Sequence, residues 1–482
     1  MPFSKVLIAN RGEIALRVIK TCKRLGIATV AIHSDADARS LHVSEADEAI
    51  AIGGYTPRES YLVMDKVLQA ARACGADAVH PGYGFLSENA EFARAVADAG
   101  MVFIGPTPEA IAMLGDKTAA REIALRAEVP ISPGSDGAVV DFAEARRVVD
   151  RIGYPVIIKA AAGGGGKGMR IVESDAEIES AFSMARNEAL ASFNDGRVFI
   201  ERYIVNPRHI EIQVLADHHG TVLYFPEREC SIQRRHQKVV EESPSSAVTP
   251  AIRKAMGEAA ARLVQAASYT NAGTLEFLLD ARGEFYFMEV NTRLQVEHPV
   301  TEMVTGVDFV EQQLLIAAGK ALTMKQVDIE PKGHAIECRV CAEDVFNDFL
   351  PDTGTVSFMQ LPEGEGVRND SALYEGYEVT VHYDPMVAKL IVWAEDRHAC
   401  IERTLVALDG YHLAGFKTTL PFCRLVIDSE PFRSGDYSTF FVQNHWPLPL
   451  PAWWTRTISA LAGAGFAADE ARRAPRQPDI SQ

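Results

Sequence analysis

Between Val6 and Ile104 the chain alternates two periodicities, and few folds accept that pattern. Val6-Leu7-Ile8-Ala9 is a short apolar run. Ile14, Val18, Ile19, Cys22 and Leu25 then recur at helical spacing up to Gly26. Glycine ends helices because it takes left-handed backbone without strain. Residues 28–32 and 49–52 read as strands, 62–73 as amphipathic helix, 76–79 as strand, 88–99 as helix and 102–104 as strand. Short apolar strands interleaved with helices predict a doubly wound, Rossmann-like parallel sheet over residues 1–115. The first strand leads into Asn10-Arg11-Gly12-Glu13 instead of GxGxxG, so a dinucleotide site is not expected there.

The rest of the 482 residues leaves room for further domains and a large core. Net charge is −17 with a pI near 5.3. No basic excess exists to displace counterions, which argues against a nucleic-acid or anionic-membrane surface. A local basic pocket for phosphate is compatible with that balance. No apolar run approaches the ~18–20 residues that span a bilayer, and the N-terminus runs from Met1-Pro2-Phe3-Ser4-Lys5 straight into a strand. Seven scattered cysteines suit a reducing, cytoplasmic compartment. Cys338 and Cys341 form a CxxC without a second pair, on a segment that reads as strand, so a metal site is not expected there.

From about residue 116 to 330 the texture changes. Val156-Ile157-Ile158-Lys159 ends in a loop with five glycines among residues 163–168, including Gly165 and Gly166. Such a loop packs no core but lets backbone N–H groups approach an anion, and Lys159 and Lys167 flank it. It is not GxxxxGK[ST], and reads as a phosphate-covering lid. Glu201-Arg202-Tyr203-Ile204 resembles a strand entering a hinge that offers backbone groups to an adenine. His209, Glu211 and Gln213 alternate with Ile210, Ile212 and Val214, the pattern of a half-buried strand. Residues 230–238 hold Arg234, Arg235, His236 and Lys238, with Glu241 and Glu242 behind them. Glu276 lies in an otherwise apolar strand, where a carboxylate is costly unless paired or bound to metal. The turn at residues 280–283 folds that strand back through Phe285–Met288, setting Glu276 beside Glu289. Beyond it Glu289, Asn291, Arg293, Gln295 and Glu297 occupy every second position. An extended chain would point all of them one way. Glu276, Glu289 and Asn291 offer hard oxygen ligands suited to Mg²⁺ or Mn²⁺.

Residues 10–17 (NRGEIALR), 80–90 (HPGYGFLSENA), 163–170 (GGGGKGMR), 234–242 (RRHQKVVEE) and 289–301 (EVNTRLQVEHPVT) together resemble the biotin carboxylases, which are ATP-grasp enzymes. The resemblance covers about residues 1–446. Lys167 replaces an arginine common in that family and keeps the charge. The implied fold is α/β and α+β. A Rossmann-like N-terminal domain (1–115) precedes an ATP-grasp domain (116–330) with a glycine-rich lid at about 131–203. A mixed α/β C-terminal domain (334–446) and a flexible tail (447–482) follow. The C-terminal domain is expected to close the site from the far side, with strands at residues 334–341, 354–358, 378–382 and 386–393 and helices at 397–408 and 420–428.

The resemblance also implies roles. Lys117, Lys159, Gly165, Gly166, Glu201, Arg202, Tyr203, Ile204, His209 and His236 are similar to ATP-site residues, as are Glu276 and Glu289, which with Asn291 would hold two Mg²⁺ or Mn²⁺ ions. Lys238, Arg293, Gln295 and the backbone of Val296 would bind bicarbonate. Glu297 resembles the general base, Arg339 the residue that steadies the biotin enolate, and Tyr83 a residue lining the biotin pocket. The implied reaction carboxylates carrier-linked biotin through carboxyphosphate. The expected parent is acetyl-CoA carboxylase of fatty acid biosynthesis. Val379-Thr380-Val381-His382-Tyr383-Asp384-Pro385-Met386 leans instead toward acyl-CoA and pyruvate carboxylases, and a propionyl-CoA or two-subunit pyruvate enzyme stays open. No Met-Lys-Met motif or carboxyltransferase-sized region is present, so biotin carboxyl carrier and carboxyltransferase chains are expected as partners, around a homodimer.

Overall fold

In β1 (Lys5–Ile8) successive side chains point to opposite sides, and both sides are buried. Val6 and Ile8 pack with Ile14, Val18 and Ile19 of the helix Gly12–Arg24, while Leu7 joins Val30, Ile32, Val67 and Phe92. A strand covered on both faces by helices belongs in a parallel sheet. Together with β2 (Ala28–His33), β3 (Glu48–Ala51), β4 (Ala78–His80) and β5 (Val102–Phe103) it forms one with the order β3-β2-β1-β4-β5, every pair parallel. The helices run Gly12–Arg24, Met64–Ala73 and Ala90–Asp98. Gly26 has φ +70°, the left-handed stop its position called for. The computed structural model describes residues 3–160, 169–193 and 195–450. The glycine loop with Gly165, Gly166 and Lys167, and nearly all of the expected tail, lie outside the described residues.

Next come β6 (Val156–Ala160), β7 (Met169–Val172) and β8 (Val198–Arg202), an antiparallel trio in the order β7-β6-β8. The helices Phe142–Ile152 and Ile178–Phe193 pack against it over a separate core that includes Val148, Ile158 and Ile200.

The larger sheet is antiparallel. It contains β9 (Arg208–Ala216), β10 (Val222–Tyr224), β11 (Arg228–Arg234), β12 (Gln237–Ser243), β13 (Asn271–Leu279), β14 (Phe285–Asn291) and β15 (His334–Cys341). The order is β14-β13-β9-β11-β12-β15, then the strands Met386–Ala394 and Val367–Ser371, with β10 paired to β9. The C-terminal segment brings Arg339 to Glu297, and its Thr439, Phe440, Val442 and Gln443 line the cleft. It prolongs the same sheet through β12 and β15, where Glu241 pairs with Glu337 and Val240 with Cys338. Its other strands are shorter than their sequence pattern implies: Gly354–Thr355, Phe358–Gln360 and Glu378–Val379. Its helices run Arg397–Asp409 and Leu420–Asp428.

The β9 pattern proved only half informative. Ile210, Ile212 and Val214 join an apolar core with the helix Pro250–Ala266. His209, Glu211 and Gln213 on the other face are buried too. That polar face is covered by the chain after β14, which places Glu297 and Thr301 against it. Contacts divide the chain into two compact units, Met1–Asn444 and His445–Gln482. Among the described residues, no helix is long and apolar enough to cross a membrane.

Candidate active site

Strand register builds the site. β13 lies between β9 and β14, so Glu276 faces Glu211 on one side and Glu289 on the other. His209 and Arg228 share that sheet face, since Arg228 pairs with Glu211. Three carboxylates so close together need cations, and Glu297 adds a fourth. Lys238, on β12, reaches across to three of them: it donates to Glu211, to Glu276 at 3.0 Å and to Glu297 at 2.8 Å. Arg228, fully buried, donates to Glu211 at 3.0 and 3.1 Å and to Gln213, Thr274 and Thr301.

This crowding sets the protonation states. Burial alone would lower the Lys238 ammonium, but Glu211, Glu297 and Glu276 outweigh it and hold its pKa well above the usual lysine value. Burial likewise favours neutral Glu276, yet Lys238 and His209 keep that carboxyl well below its ordinary range. His209 lies 3.0 Å from Glu276. Burial would lower it, and Glu276 with Glu211 instead pushes it up to about 9. Glu289 is different: burial and then the charge of Glu276 raise it. Its nearest cation, Lys117, is 4.0 Å away and well exposed.

The expectation that residues 289–297 form one extended ribbon fails after Asn291, where β14 ends. Glu297 takes φ −81° and ψ 10° as the first residue before the helix His298–Thr305. Its carboxylate still reaches the cleft because the chain turns under the sheet. There it is held from two sides, by Lys238 and by Arg339 Nη2 at 2.9 Å. Burial and Glu211 would raise Glu297, but Lys238 and Arg339 outweigh them and lower it. Arg339, on β15, also donates from Nε to Glu241 at 2.5 Å. Arg293 spreads its guanidinium over Glu88, Gln295 and Asn291, each at 2.9 Å. Asn291 gives its amide nitrogen to Glu276 at 2.8 Å, and Gln295 does so at 3.2 Å.

Of these groups, Lys238, Glu276, Glu289, Asn291, Arg293, Gln295, Glu297 and Arg339 line a cleft of about 1480 Å³. Lys117, Lys159, Glu201, Arg202, Tyr203, Ile204 and His236 line it as well. Lys159 is paired with Glu201 at 2.8 Å. His236 sits in the β11–β12 turn, with Arg235 and His236 at φ +49° and +68°. Tyr83 is not in this lining. It packs in the parallel-sheet unit, with the Lys389 ammonium 5.7 Å from its ring centre and its hydroxyl buried without a hydrogen-bond partner among the described residues.

Several contributors carried no sequence signal of a role. Glu211 was visible only as one tooth of an alternation, and Arg228, Gln233, Glu88 and Lys389 were not singled out. Gln233 meets His209 Nδ1 at 2.9 Å. Their positions depend on cross-strand register, which a single strand's pattern does not reveal.

The facing carboxylates Glu276 and Glu289 offer hard oxygen donors of the kind a divalent cation takes, and the ionisation of Glu289 is opposed by burial and by its neighbour. Asn291, as placed, spends both amide groups on Glu276 and Arg293.

Comparison with known proteins agrees with this architecture. Residues 2–111 match the biotin carboxylase N-terminal domain, 116–325 the carbamoyl-phosphate synthase L chain ATP-binding domain, and 337–444 the biotin carboxylase C-terminal domain. The chain is 53% identical to the biotin carboxylase of Halalkalibacterium halodurans over 92% of its own length and 98% of that protein. It is 50% identical to the propionyl-CoA carboxylase alpha chain of Ruegeria pomeroyi over 98% of its own length and 73% of that protein. Among solved structures, it is similar to the biotin carboxylase domain dimer of Hydrogenobacter thermophilus 2-oxoglutarate carboxylase in complex with MgADP, ADP and bicarbonate. The TM-score is 0.85 at 47% identity, covering 92% of this chain and 98% of that one. A three-part domain match and identities of this size over nearly whole chains leave one assignment: the chain belongs to the biotin carboxylase family of ATP-dependent ligases.

Proposed function

We propose that this cleft carboxylates carrier-linked biotin with bicarbonate and ATP, through carboxyphosphate. The observation that carries the reading is Glu297, a buried carboxylate held between Lys238 and Arg339. It stays ionised, so it can accept a proton at neutral pH, and it opens onto the cleft between two cations. In this reading Glu297 takes the proton of bicarbonate, which is a poor nucleophile until it does. Arg293, Gln295, Lys238 and the Val296 N–H orient the anion. The dianion attacks the γ-phosphorus of ATP, releasing ADP, a step governed by alignment and charge neutralisation. Lys117, Lys159, residues 201–204, His209 and His236 bind the nucleotide, with the loop at 163–168 as its cover. Glu276 and Glu289, with Asn291 once Arg293 releases its amide oxygen, would hold Mg²⁺ or Mn²⁺. When bound, the metal supplies charge neutralisation at the phosphates. Carboxyphosphate splits to CO₂ and phosphate. Phosphate removes the ureido proton, and Arg339 stabilises the enolate oxygen while nitrogen attacks CO₂. Tyr83 would line the biotin pocket.

The parent enzyme is read as an acyl-CoA carboxylase. Acetyl-CoA is the first reading, with a separate biotin carboxyl carrier, a carboxyltransferase and a homodimer in the cytoplasm. Propionyl-CoA is the second, favoured by the Ruegeria alignment, which runs over 98% of this chain. The domain partition at residues 1–115, 116–330 and 334–446 goes with this reading. The test is bicarbonate-dependent release of phosphate from ATP, with carboxylation of free biotin followed in parallel. ATP turnover indifferent to bicarbonate would sink it. Adding candidate carrier and transferase chains with acetyl-CoA or propionyl-CoA then separates the two parents.

A further inference from the structure

The residues after β14 owe their shape to two groups that the proposed chemistry does not use. Lys389, on the strand Met386–Ala394, is fully buried. Simple charge balance would have it serve Glu13 and Asp370. Its ammonium is nevertheless 3.4 Å from Glu13 and 3.9 Å from Asp370. Asp370 already has a bidentate partner in Arg368, at 2.9 and 2.7 Å. The shortest contact of Lys389 is a hydrogen bond of 2.8 Å to the carbonyl oxygen of Val296. His298, also fully buried, places Nδ1 2.8 Å from the carbonyl oxygen of Gln295. A carbonyl only accepts, so Nδ1 carries the proton.

These two carbonyls bracket Val296. The Gln295 carbonyl shares a rigid peptide plane with the Val296 N–H, and the Val296 carbonyl shares one with the Glu297 N–H. A donor on the Gln295 oxygen fixes and polarises the Val296 N–H on the other side of the same plane. That N–H donates to no described residue. A donor on the Val296 oxygen fixes the plane from which the Glu297 side chain departs.

We propose that Lys389 and His298 are positioning residues for bicarbonate: they pin the two peptide planes around Val296, aiming its N–H and the Glu297 carboxylate at the anion. The inference rests on the bicarbonate reading of Arg293, Gln295, Val296 and Glu297. Lys389 joins three parts of the molecule in doing so, since it is reached by Glu13 of the first helix, by the chain after β14 and by its own C-terminal strand.

The test compares Michaelis constants for bicarbonate and ATP in Lys389→Met, His298→Leu and His298→Asn, with Arg293→Ala as the control for the site itself. Lys389→Met keeps the unbranched apolar stem and removes the ammonium. His298→Leu removes the side-chain donor and leaves the backbone N–H of residue 298 at 3.3 Å from the same oxygen. In His298→Asn the amide nitrogen can replace Nδ1. Loss of one such aligned donor predicts a bicarbonate KM raised about five- to tenfold in Lys389→Met and His298→Leu, with the ATP KM within about twofold. His298→Asn should recover most of the bicarbonate affinity. A purely packing role would lower kcat or the active fraction and leave the KM for bicarbonate alone, and that result overturns the proposal. So does failure of His298→Asn to outperform His298→Leu, a comparison that stands even if Lys389→Met does not fold. If Arg293→Ala also leaves the bicarbonate KM unchanged, the site reading itself has failed. If Arg293→Ala raises it and the other variants do not, only the positioning role has.

Discussion

Glu241 and Glu242 are neighbours on β12, both fully buried, and they face opposite sides of the sheet. Glu242 enters a closed cluster. It accepts from His334 at 2.8 Å, from Arg397 at 2.8 and 3.1 Å and from the Tyr437 hydroxyl. Burial would raise it, but His334 and Arg397 outweigh burial and hold it down at about 2. Glu241 faces the cleft side, beside Glu337. Burial raises its carboxyl above the ordinary value, and Arg339 only partly offsets that. Arg339 is shared with Glu297, and Glu337 has no hydrogen-bond partner for either oxygen among the described residues. One face saturates its charges, as a structural cluster must. The other divides a few cations among many carboxylates, which leaves protonation and pairing open to change when ligands arrive. Perturbed carboxyls in a cleft are the expected mark of a functional site.

The largest effects should come from the cleft side. Glu297→Gln should abolish both bicarbonate-dependent ATP cleavage and biotin carboxylation, by at least about 10²-fold, because the base is gone. Arg339→Ala should keep part of the ATP cleavage while carboxylating biotin poorly, since its proposed charge partner develops only on the ureido oxygen after phosphoryl transfer. Parallel assays of phosphate release and carboxybiotin decide this. Equal loss of both activities in both variants would erase the division of labour between the two residues. Glu289→Gln comes next, with activity lowered about tenfold or more at ordinary Mg²⁺ and partial recovery as Mg²⁺ is raised. Its melting temperature should hold, because Glu289 has only a distant, exposed cation to lose. Wild-type turnover across a Mg²⁺ titration would remove Glu289 from the metal site.

On the closed face the expected effect is on stability. Glu242 has a folded pKa below its ordinary 4.5, at about 2. A depressed carboxyl stabilises the fold above its unfolded value and loses that contribution as pH falls through the folded one. The shift corresponds to about 3 kcal/mol at neutral pH. Glu242→Gln should therefore lower unfolding free energy by about that amount at pH 7, and its deficit should shrink as pH falls from 4.5 toward 2. Chemical denaturation across pH measures it. Any surviving folded enzyme should keep wild-type KM values, because Glu242 faces away from the cleft.

Much of this contrast could be anticipated along the chain and little of it across the sheet. The β13–β14 hairpin followed from apolar runs joined by a Gly-containing turn, and with it the pairing of Glu276 with Glu289. The parallel pairing of strands in the first sheet followed from the strand–helix alternation. The turn of the chain after Asn291 was missed, because alternation of polar residues is the same in a strand and in a loop that happens to converge. The burial of Glu211 and the contact of Arg339 with Glu297 were set by register among β9, β12, β13 and β15, partners up to about a hundred residues apart. Lys389, deep in an apolar strand, offered only its oddness as a hint.

The remaining effect is the one with the opposite sign. Glu337 is fully buried, and burial, ahead of any neighbouring cation, raises its carboxyl well above the ordinary value. A carboxyl raised in the fold stabilises it at low pH, where both states are protonated alike only below the unfolded value. As pH rises, the unfolded chain ionises first and stability is lost through the folded pKa. Glutamine has the shape of the protonated acid and no proton to lose. Glu337→Gln should therefore match the wild type below about pH 4 and become the more stable of the two as pH rises toward neutrality, where Glu242→Gln is at its worst. Crossing denaturation curves for these two variants would establish that Glu337 is held uncharged in the fold while Glu242 is held as an ion pair. A Glu337→Gln protein that weakens with rising pH would show instead that Glu337 is ionised and paired in the fold, and the contrast between the faces would rest on Glu241 alone.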